Sequence, residues 1–217
     1  FDKNGKMVTG WFQPFKDYDW DDNYWRRSWY YAKADGSLAE GWLKIGGDWY
    51  YFDEGGRMRD EGMTWVDDKG YAMDYRSGKM LSGQWFQDTW LDYDGELIVS
   101  DSWYYLGKDG VAKTGWFKVG KNWYYANKWG RMLTGWLLDG ETMYYLKDSG
   151  EMAANEWIED EDIWYYIKGN GAMAENEWIQ DGSAWYWLKD GGDMAHDETV
   201  TINGKDYKFA DNGVWIP

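Results

Sequence analysis

Tryptophans seven residues apart, the second opening a run of three aromatics, recur along this 217-residue chain. The clearest sets are Trp116 with Trp123-Tyr124-Tyr125, Trp157 with Trp164-Tyr165-Tyr166, and Trp178 with Trp185-Tyr186-Trp187. Ring faces carry negative potential and can hold a cation, and tryptophan faces also stack on sugar rings. Neither role involves proton transfer or covalent chemistry. His196 is the only histidine and there is no cysteine. A His-based triad, a Cys-based redox centre and a His-rich or Cys-based metal site are therefore excluded, and no cofactor is expected. The run Asp17, Asp19, Asp21, Asp22 lacks the glycine and glutamate of an EF-hand loop, so it reads as a solvated hairpin tip. Glu159-Asp160-Glu161-Asp162 reads the same way.

The elements that position these rings follow from their spacing. Trp116 to Trp136 is 20 residues, and the steps to Trp157 and Trp178 are 21 each. Such a period marks a solenoid, whose units bury their apolar faces against neighbours. Residues three and four after each opening Trp are turn candidates, among them Val119-Gly120, Asp139-Gly140 and Asp181-Gly182, with Asn203-Gly204 in the last unit. Two-residue hairpin loops favour these types because the centre needs positive φ. This reading pairs residue i with i+7, so that Trp116 faces Trp123 and Trp178 faces Trp185. The second Tyr then shares the Trp face. The first Tyr (Tyr50, Tyr104, Tyr124, Tyr144, Tyr165) points the other way and is expected in the core. Gly130, Gly150 and Gly171 are expected to take left-handed turns, and Met132, Met152, Met173 and Met194 to pack beside the rings.

The expected fold is all-β, a superhelical solenoid of stacked β-hairpins of about 20 residues, forming one repeat domain over residues 1–217. Long units cover 11–41 and 85–115, a degraded unit 63–84, regular units 42–62, 116–135, 136–156, 157–177 and 178–198, and a terminal unit 199–217. Both long units begin Trp-Phe-Gln and carry Asp-Tyr-Asp, at Asp17-Tyr18-Asp19 and Asp92-Tyr93-Asp94; their extra residues are expected to make protruding hairpins. Phe1-Asp2-Lys3-Asn4-Gly5-Lys6-Met7 echoes Phe52 to Met58 without the preceding aromatics, which suggests an upstream part.

Composition narrows the partners. A formal charge of −16 argues against nucleic acid, which needs a basic footprint. No apolar run reaches membrane-spanning length. With 20 Trp and 19 Tyr and few aliphatics, the buried surface is expected to be largely aromatic.

The order Gly-Trp, Trp-Tyr-Tyr, Gly-x-Met-x-x-Gly-Trp, strongest from Gly115 to Met194, resembles the choline-binding repeats of Gram-positive cell-wall proteins. The resemblance implies a secreted, non-catalytic attachment module at the cell wall or surface, whose partner is choline or choline-substituted teichoic acid. It implies cages of two Trp from one unit and the second Tyr of the next. Carried onto this sequence, these are Trp116, Trp123 and Tyr145; Trp157, Trp164 and Trp187; Trp178, Trp185 and Phe209. The long units give Trp11, Trp29 and Tyr51, and Trp85, Trp103 and Tyr125. Three sets depart from the pattern and are expected to be weak or empty: Trp136 facing Met143, Trp42 and Trp49 looking towards Met73, and Trp65 with Tyr71. A quaternary ammonium has no N–H to donate, so ring faces suit it better than acceptors do. Two alternatives stay open: a carbohydrate-binding module for a cell-surface glycan, and an adhesin or spacer whose long hairpins bind a host protein.

Overall fold

A computed structural model describes residues 5–13, 28–91 and 96–217. The described chain is all-β, a succession of antiparallel hairpins. β1 (Gly10–Phe12) pairs with β2 (Tyr30–Ala32), β3 (Gly41–Ile45) with β4 (Asp48–Phe52), and β5 (Met63–Val66) with β6 (Lys69–Ala72). A long hairpin joins β7 (Trp85–Leu91) to β8 (Leu97–Tyr105), with an irregularity between Gln87 and Thr89. Then β9 (Gly115–Val119) pairs with β10 (Asn122–Ala126), β11 (Gly135–Asp139) with β12 (Thr142–Leu146), β13 (Glu156–Asp160) with β14 (Ile163–Ile167), and β15 (Glu177–Asp181) with β16 (Ala184–Leu188). A final three-stranded sheet holds β17 (Thr199–Ile202), β18 (Lys205–Phe209) and β19 (Trp215–Ile216). Contacts cluster into two compact units, Phe1–Gly115 with Ala126–Met132, and Trp116–Tyr125 with Leu133–Pro217. Among the described residues no helix is long and apolar enough to cross a membrane.

The hairpin loops correct the expected register. Each regular hairpin pairs i with i+9: Trp42 with Tyr51, Trp136 with Tyr145, Trp157 with Tyr166 and Trp178 with Trp187. The loop residues lie one position later than expected, at Gly46-Gly47, Gly140-Glu141, Glu161-Asp162 and Gly182-Ser183. Two loop chemistries explain this. Gly46-Gly47, Glu161-Asp162 and Asn203-Gly204 have both residues at positive φ, a type I′ pattern. Gly140 and Gly182 are positive but Glu141 and Ser183 are not, so glycine leads a type II′ turn. Only the terminal unit keeps the expected pairing, Val200 with Tyr207. A two-residue shift preserves side-chain parity. Opening Trp, second Trp and second Tyr therefore share one face despite the error.

Successive hairpins are tied by one recurring backbone bond. The Met after a trailing turn donates its N–H to the carbonyl at the second-Trp position of the hairpin before: Met58 to Trp29, Met80 to Trp49, Met132 to Trp103, Met152 to Trp123, Met173 to Met143, and Met194 to Trp164, all at 2.8 Å. Ala112 donates to Gly70 in the same way. Lys147–Glu156 at 2.7 Å, Lys168–Glu177 at 2.7 Å and Lys189–Glu198 at 3.0 Å repeat the spacing on the surface. Such half-exposed pairs each contribute about 0–1 kcal/mol.

Aromatic rings make up much of the core, with Tyr50, Tyr104, Phe117 and Tyr124 buried and further Trp and Tyr rings packed against the buried clusters. The most deeply buried large side chains are Phe52, Met73, Leu106, Leu146, Ile167, Leu188 and Phe209, without a Trp or Tyr among them. Within each compact unit they form a core column, at the residue that follows the aromatic triplet or its equivalent, Gly70-Tyr71-Ala72 before Met73 and Asp206-Tyr207-Lys208 before Phe209. Ala153, Ala174 and Ala195 fill in beside it.

The expected left-handed turns are present, with φ of 76° at Gly130, 81° at Gly150 and 86° at Gly171. Gly213 (φ 79°) shows what this glycine position does, since a Cβ there would overlap the Met194 thioether. Gly78, Gly171 and Gly192 stand in the same relation to Met58, Met152 and Met173. Gly213→Ala is expected to cost about 1–2 kcal/mol from the left-handed backbone alone. Thermal unfolding should report it as a fall of roughly 2–8 °C; an unchanged midpoint would contradict this role.

Candidate functional site

Within each compact unit the Trp face of a hairpin meets the opposite face of the next. The ring that closes the gap is therefore the first Tyr of the following hairpin, not the second. Trp11 lies 4.9 Å from Tyr50, Trp42 4.6 Å from Tyr71, Trp116 4.8 Å from Tyr144, Trp157 4.9 Å from Tyr186 and Trp178 5.1 Å from Tyr207, all edge to face. The second Trp stands roughly perpendicular to the opening one, at 6.4 Å and 89° for Trp11–Trp29, 6.5 Å and 88° for Trp42–Trp49, and 6.4 Å and 79° for Trp178–Trp185. These second tryptophans stay open to solvent, from 38 % exposed at Trp103 to 42 % at Trp49 and Trp123. A ring there for packing alone would be covered.

Two of these ring sets open onto clear clefts. Trp11, Trp29, Tyr50 and Met58 line one of about 350 Å³, with Arg76 and Ser77 at its edge. Trp157, Trp164, Tyr186 and Met194 line one of about 710 Å³, together with Asp162, Asp181, Asp193, Asp211 and His196. The first cleft thus carries a cation at its rim and the second four carboxylates.

Several expected third rings move. Tyr51, Tyr125, Tyr145 and Trp187 pack on the opening Trp of their own hairpin, at 5.1, 5.1, 5.0 and 5.4 Å from Trp42, Trp116, Trp136 and Trp178. Phe209 is 1 % exposed and belongs to the core column, tilted against Trp178 at 5.7 Å. The first-Tyr residues expected purely in the core divide. Tyr50, Tyr104 and Tyr124 are buried, whereas Tyr144 and Tyr165 are half-buried. Burial pushes the Tyr165 phenol up from its ordinary range, with nearby Asp193 and Asp160 adding to the effect.

Two sets expected to be weak are rebuilt by the structure. Trp42 and Trp49 meet Tyr71, because the strand equivalent to Trp-Tyr-Tyr in the degraded unit is Gly70-Tyr71-Ala72; Met73 is core. Met63, not Trp65, occupies the opening position there, and Gly70 the second. Trp136 meets Tyr165 at 4.8 Å, with Met143 in place of the second Trp. In the long hairpin Trp85 pairs with Tyr105 and Trp103 with Gln87. The expected tips at Asp17-Tyr18-Asp19 and Asp92-Tyr93-Asp94, and the Asp21 and Asp22 of the acidic run, lie outside the described residues. Among the described residues no group of His, Asp or Glu could hold a metal ion.

Two features had no expectation from the sequence. At the C-terminal end Trp215 takes the place that Met194 holds one hairpin earlier, 6.0 Å from both Trp178 and Tyr207. The indole N–H of the opening Trp donates to an aspartate of the next hairpin in three consecutive steps. The pairs are Trp116 to Asp139 at 2.9 Å, Trp136 to Asp160 at 2.8 Å and Trp157 to Asp181 at 3.0 Å. The last strand residue before the turn supplies each carboxylate. Ile45, Val66 and Ile202 stand there in other hairpins.

A semi-enclosed set of two perpendicular indoles, a phenol ring and a thioether, with carboxylates nearby, can hold a compact organic cation. Lys44 Nζ already sits 5.9 Å over Trp49, and Lys118 Nζ 5.8 Å over Trp123.

Comparison with known proteins agrees with this geometry. A choline-binding repeat family matches residues 113–157, and a cell wall binding repeat family matches 40–58, 98–112, 155–173 and 176–194. The structure of CbpJ from Streptococcus pneumoniae is similar over 100% of this chain and 74% of that one, at 32% identity and a TM-score of 0.74. The modular autolysin LytC of Streptococcus pneumoniae, solved with a synthetic peptidoglycan ligand, is similar over 92% of this chain and 46% of that one, at 28% identity and a TM-score of 0.60. Glucosyltransferase-I of Streptococcus downei is 31% identical over 113 residues, which span 6% of its length. With the hairpin repeat, the ring sets and these relatives in agreement, the chain belongs to the choline-binding repeat family.

Proposed function

We propose that this chain is a non-catalytic cell-wall module that holds choline in aromatic cages between successive hairpins, and so associates with the cell surface. The observation that carries the reading is recurrence. The opening Trp meets the first Tyr of the next hairpin at Trp11, Trp42, Trp116, Trp157 and Trp178. A second indole stands beside it at Trp11, Trp42 and Trp178 and lines the same cleft at Trp157. Trp215 takes at Trp178 the place that Met194 holds at Trp157. Each cage contributes modestly, and several on one polymer add avidity. Choline on teichoic acid is the partner that suits this array. At the Trp157 cage the four carboxylates favour a pose in which only the trimethylammonium enters and the phosphate of such a polymer faces solvent. On this reading the cages have a binding role alone, and any catalysis in a longer protein is left to another domain.

The test is co-sedimentation with cell walls whose teichoic acids carry choline, against walls carrying ethanolamine. Retention on the first only, reversed by free choline, is the expected result. Equal retention on both would refute the reading.

The indole–carboxylate bonds give this function a gradient. Each fixes the edge of a cage wall and places a negative charge beside the bound cation. Asp181→Ile, which copies the sister hairpins, is expected to weaken choline at the Trp157 cage by roughly 2- to 12-fold, the net range for one hydrogen bond. Asp181→Asn should weaken it less, because its amide oxygen can still accept from the indole. Site-resolved titration by NMR would show both effects; identical affinities in all three proteins would remove Asp181 from the site.

A further inference from the structure

The hairpin of β5 and β6 has lost its cage, with Met63 and Gly70 in the two tryptophan positions, yet it has gained a tryptophan elsewhere. Trp65 stands directly across from Gly70. A Cβ at Gly70 would lie 3.1 Å from Trp65 Cη2, so the glycine makes room for the indole. Trp65 remains 42 % exposed, and Trp129, from the turn after β10, is 57 % exposed. The two rings meet at 5.7 Å and 90°. Lys128 Nζ sits 5.0 Å over Trp129. Two large rings brought together from 64 residues apart and left open to water do little for packing.

Trp65 forms one wall of a cleft of about 680 Å³, whose other walls include Tyr51, Asp53, Arg59, Glu61 and Thr64. We infer that this cleft is a second binding site, for a neutral oligosaccharide of equatorially substituted pyranose rings. Such a ring has a flat C–H face that suits an exposed indole, whose face carries the complementary negative potential. Its hydroxyls both donate and accept, and the cleft holds carboxylates of Asp53 and Glu61 beside the donors Arg59, Thr64 and Tyr51. Asp53 already accepts from the Gly55 and Arg57 N–H groups and lies 3.9 Å from Arg59, so a sugar hydroxyl adds to that network rather than meeting free groups. A quaternary ammonium finds only one indole in this cleft, because Gly70 replaces the second Trp and Trp129, which meets Trp65, is not among the lining residues. An anion meets the carboxylates of Asp53, Glu54 and Glu61 against the one guanidinium of Arg59. The site is distinct from the choline cages, although its Tyr51 also packs on Trp42 of one of them.

The test is calorimetric titration of the whole chain with cellotetraose and with chitotetraose, in saturating choline so that the cages are filled. Saturable binding of at least one sugar is expected. It should fall at least about tenfold in Trp65→Leu and stay within about threefold of wild type in Trp65→Tyr, which keeps a stacking ring. Choline affinity in Trp65→Leu should match wild type, showing that the fold is intact. Binding of neither sugar, equal binding by Trp65→Leu, or complete loss in Trp65→Tyr would each overturn the proposal.

Discussion

Tyr186→Leu is expected to weaken choline at the Trp157 cage by about 2- to 30-fold, the range that one aromatic face contributes to a bound cation. Trp187→Tyr should leave it unchanged. The contrast is informative because the two residues are neighbours, and the family pattern pointed to Trp187. In the structure Tyr186 lies 4.9 Å from Trp157 and lines its cleft, whereas Trp187 packs on Trp178. Tyr186 is half-buried, so some stability is lost as well. The reading is therefore taken at the Trp157 and Trp164 indole resonances during choline titration, with the Trp116 cage as internal reference. Loss through Trp187→Tyr with Tyr186→Leu silent would restore the second-Tyr arrangement.

Phe209→Ala is expected to cost about 3–5 kcal/mol, the usual range for emptying a buried phenylalanine site. Phe209 is 1 % exposed and closes the core column against Trp178, Trp187 and Trp215. In a repeat fold such damage falls first on the local stack. Amide exchange in Thr199–Ile202 and Lys205–Phe209 should accelerate first, and the unfolding midpoint should fall by about 10 °C. Phe209→Leu, which keeps an apolar side chain like Leu188 at the equivalent place, should be milder. Were Phe209 a cage ring, the alanine variant would lose choline binding and keep its stability.

The sequence made the repeat, the two-residue loops, the left-handed glycines and the family legible, because each rests on local chemistry. It misplaced the register because Asp139-Gly140 and Asp181-Gly182 look like loop pairs. In fact the aspartate ends the strand and the glycine opens a type II′ turn. The error was even-numbered, so every face assignment survived it. The third cage ring was harder to see. A hairpin in a stack has one face toward its predecessor and one toward its successor, so the ring opposing Trp157 must come from the back of the next hairpin. Alternation along the strand assigns that side to Tyr186, and the family pattern overrode it. The core column was hidden for another reason. Its members change from Phe52 to Leu106 to Ile167, and only their shared place after the aromatic triplet reveals them. The Trp65–Trp129 contact joins residues from different repeats and left no periodic trace.

The most direct measurement is a choline titration followed by intrinsic tryptophan fluorescence, with ethanolamine as the matched control. A saturable change with choline, absent with ethanolamine and diminished in Trp116→Ala and Trp157→Ala, is the result the cages predict. No saturable response to choline, or an equal response to ethanolamine, would contradict them.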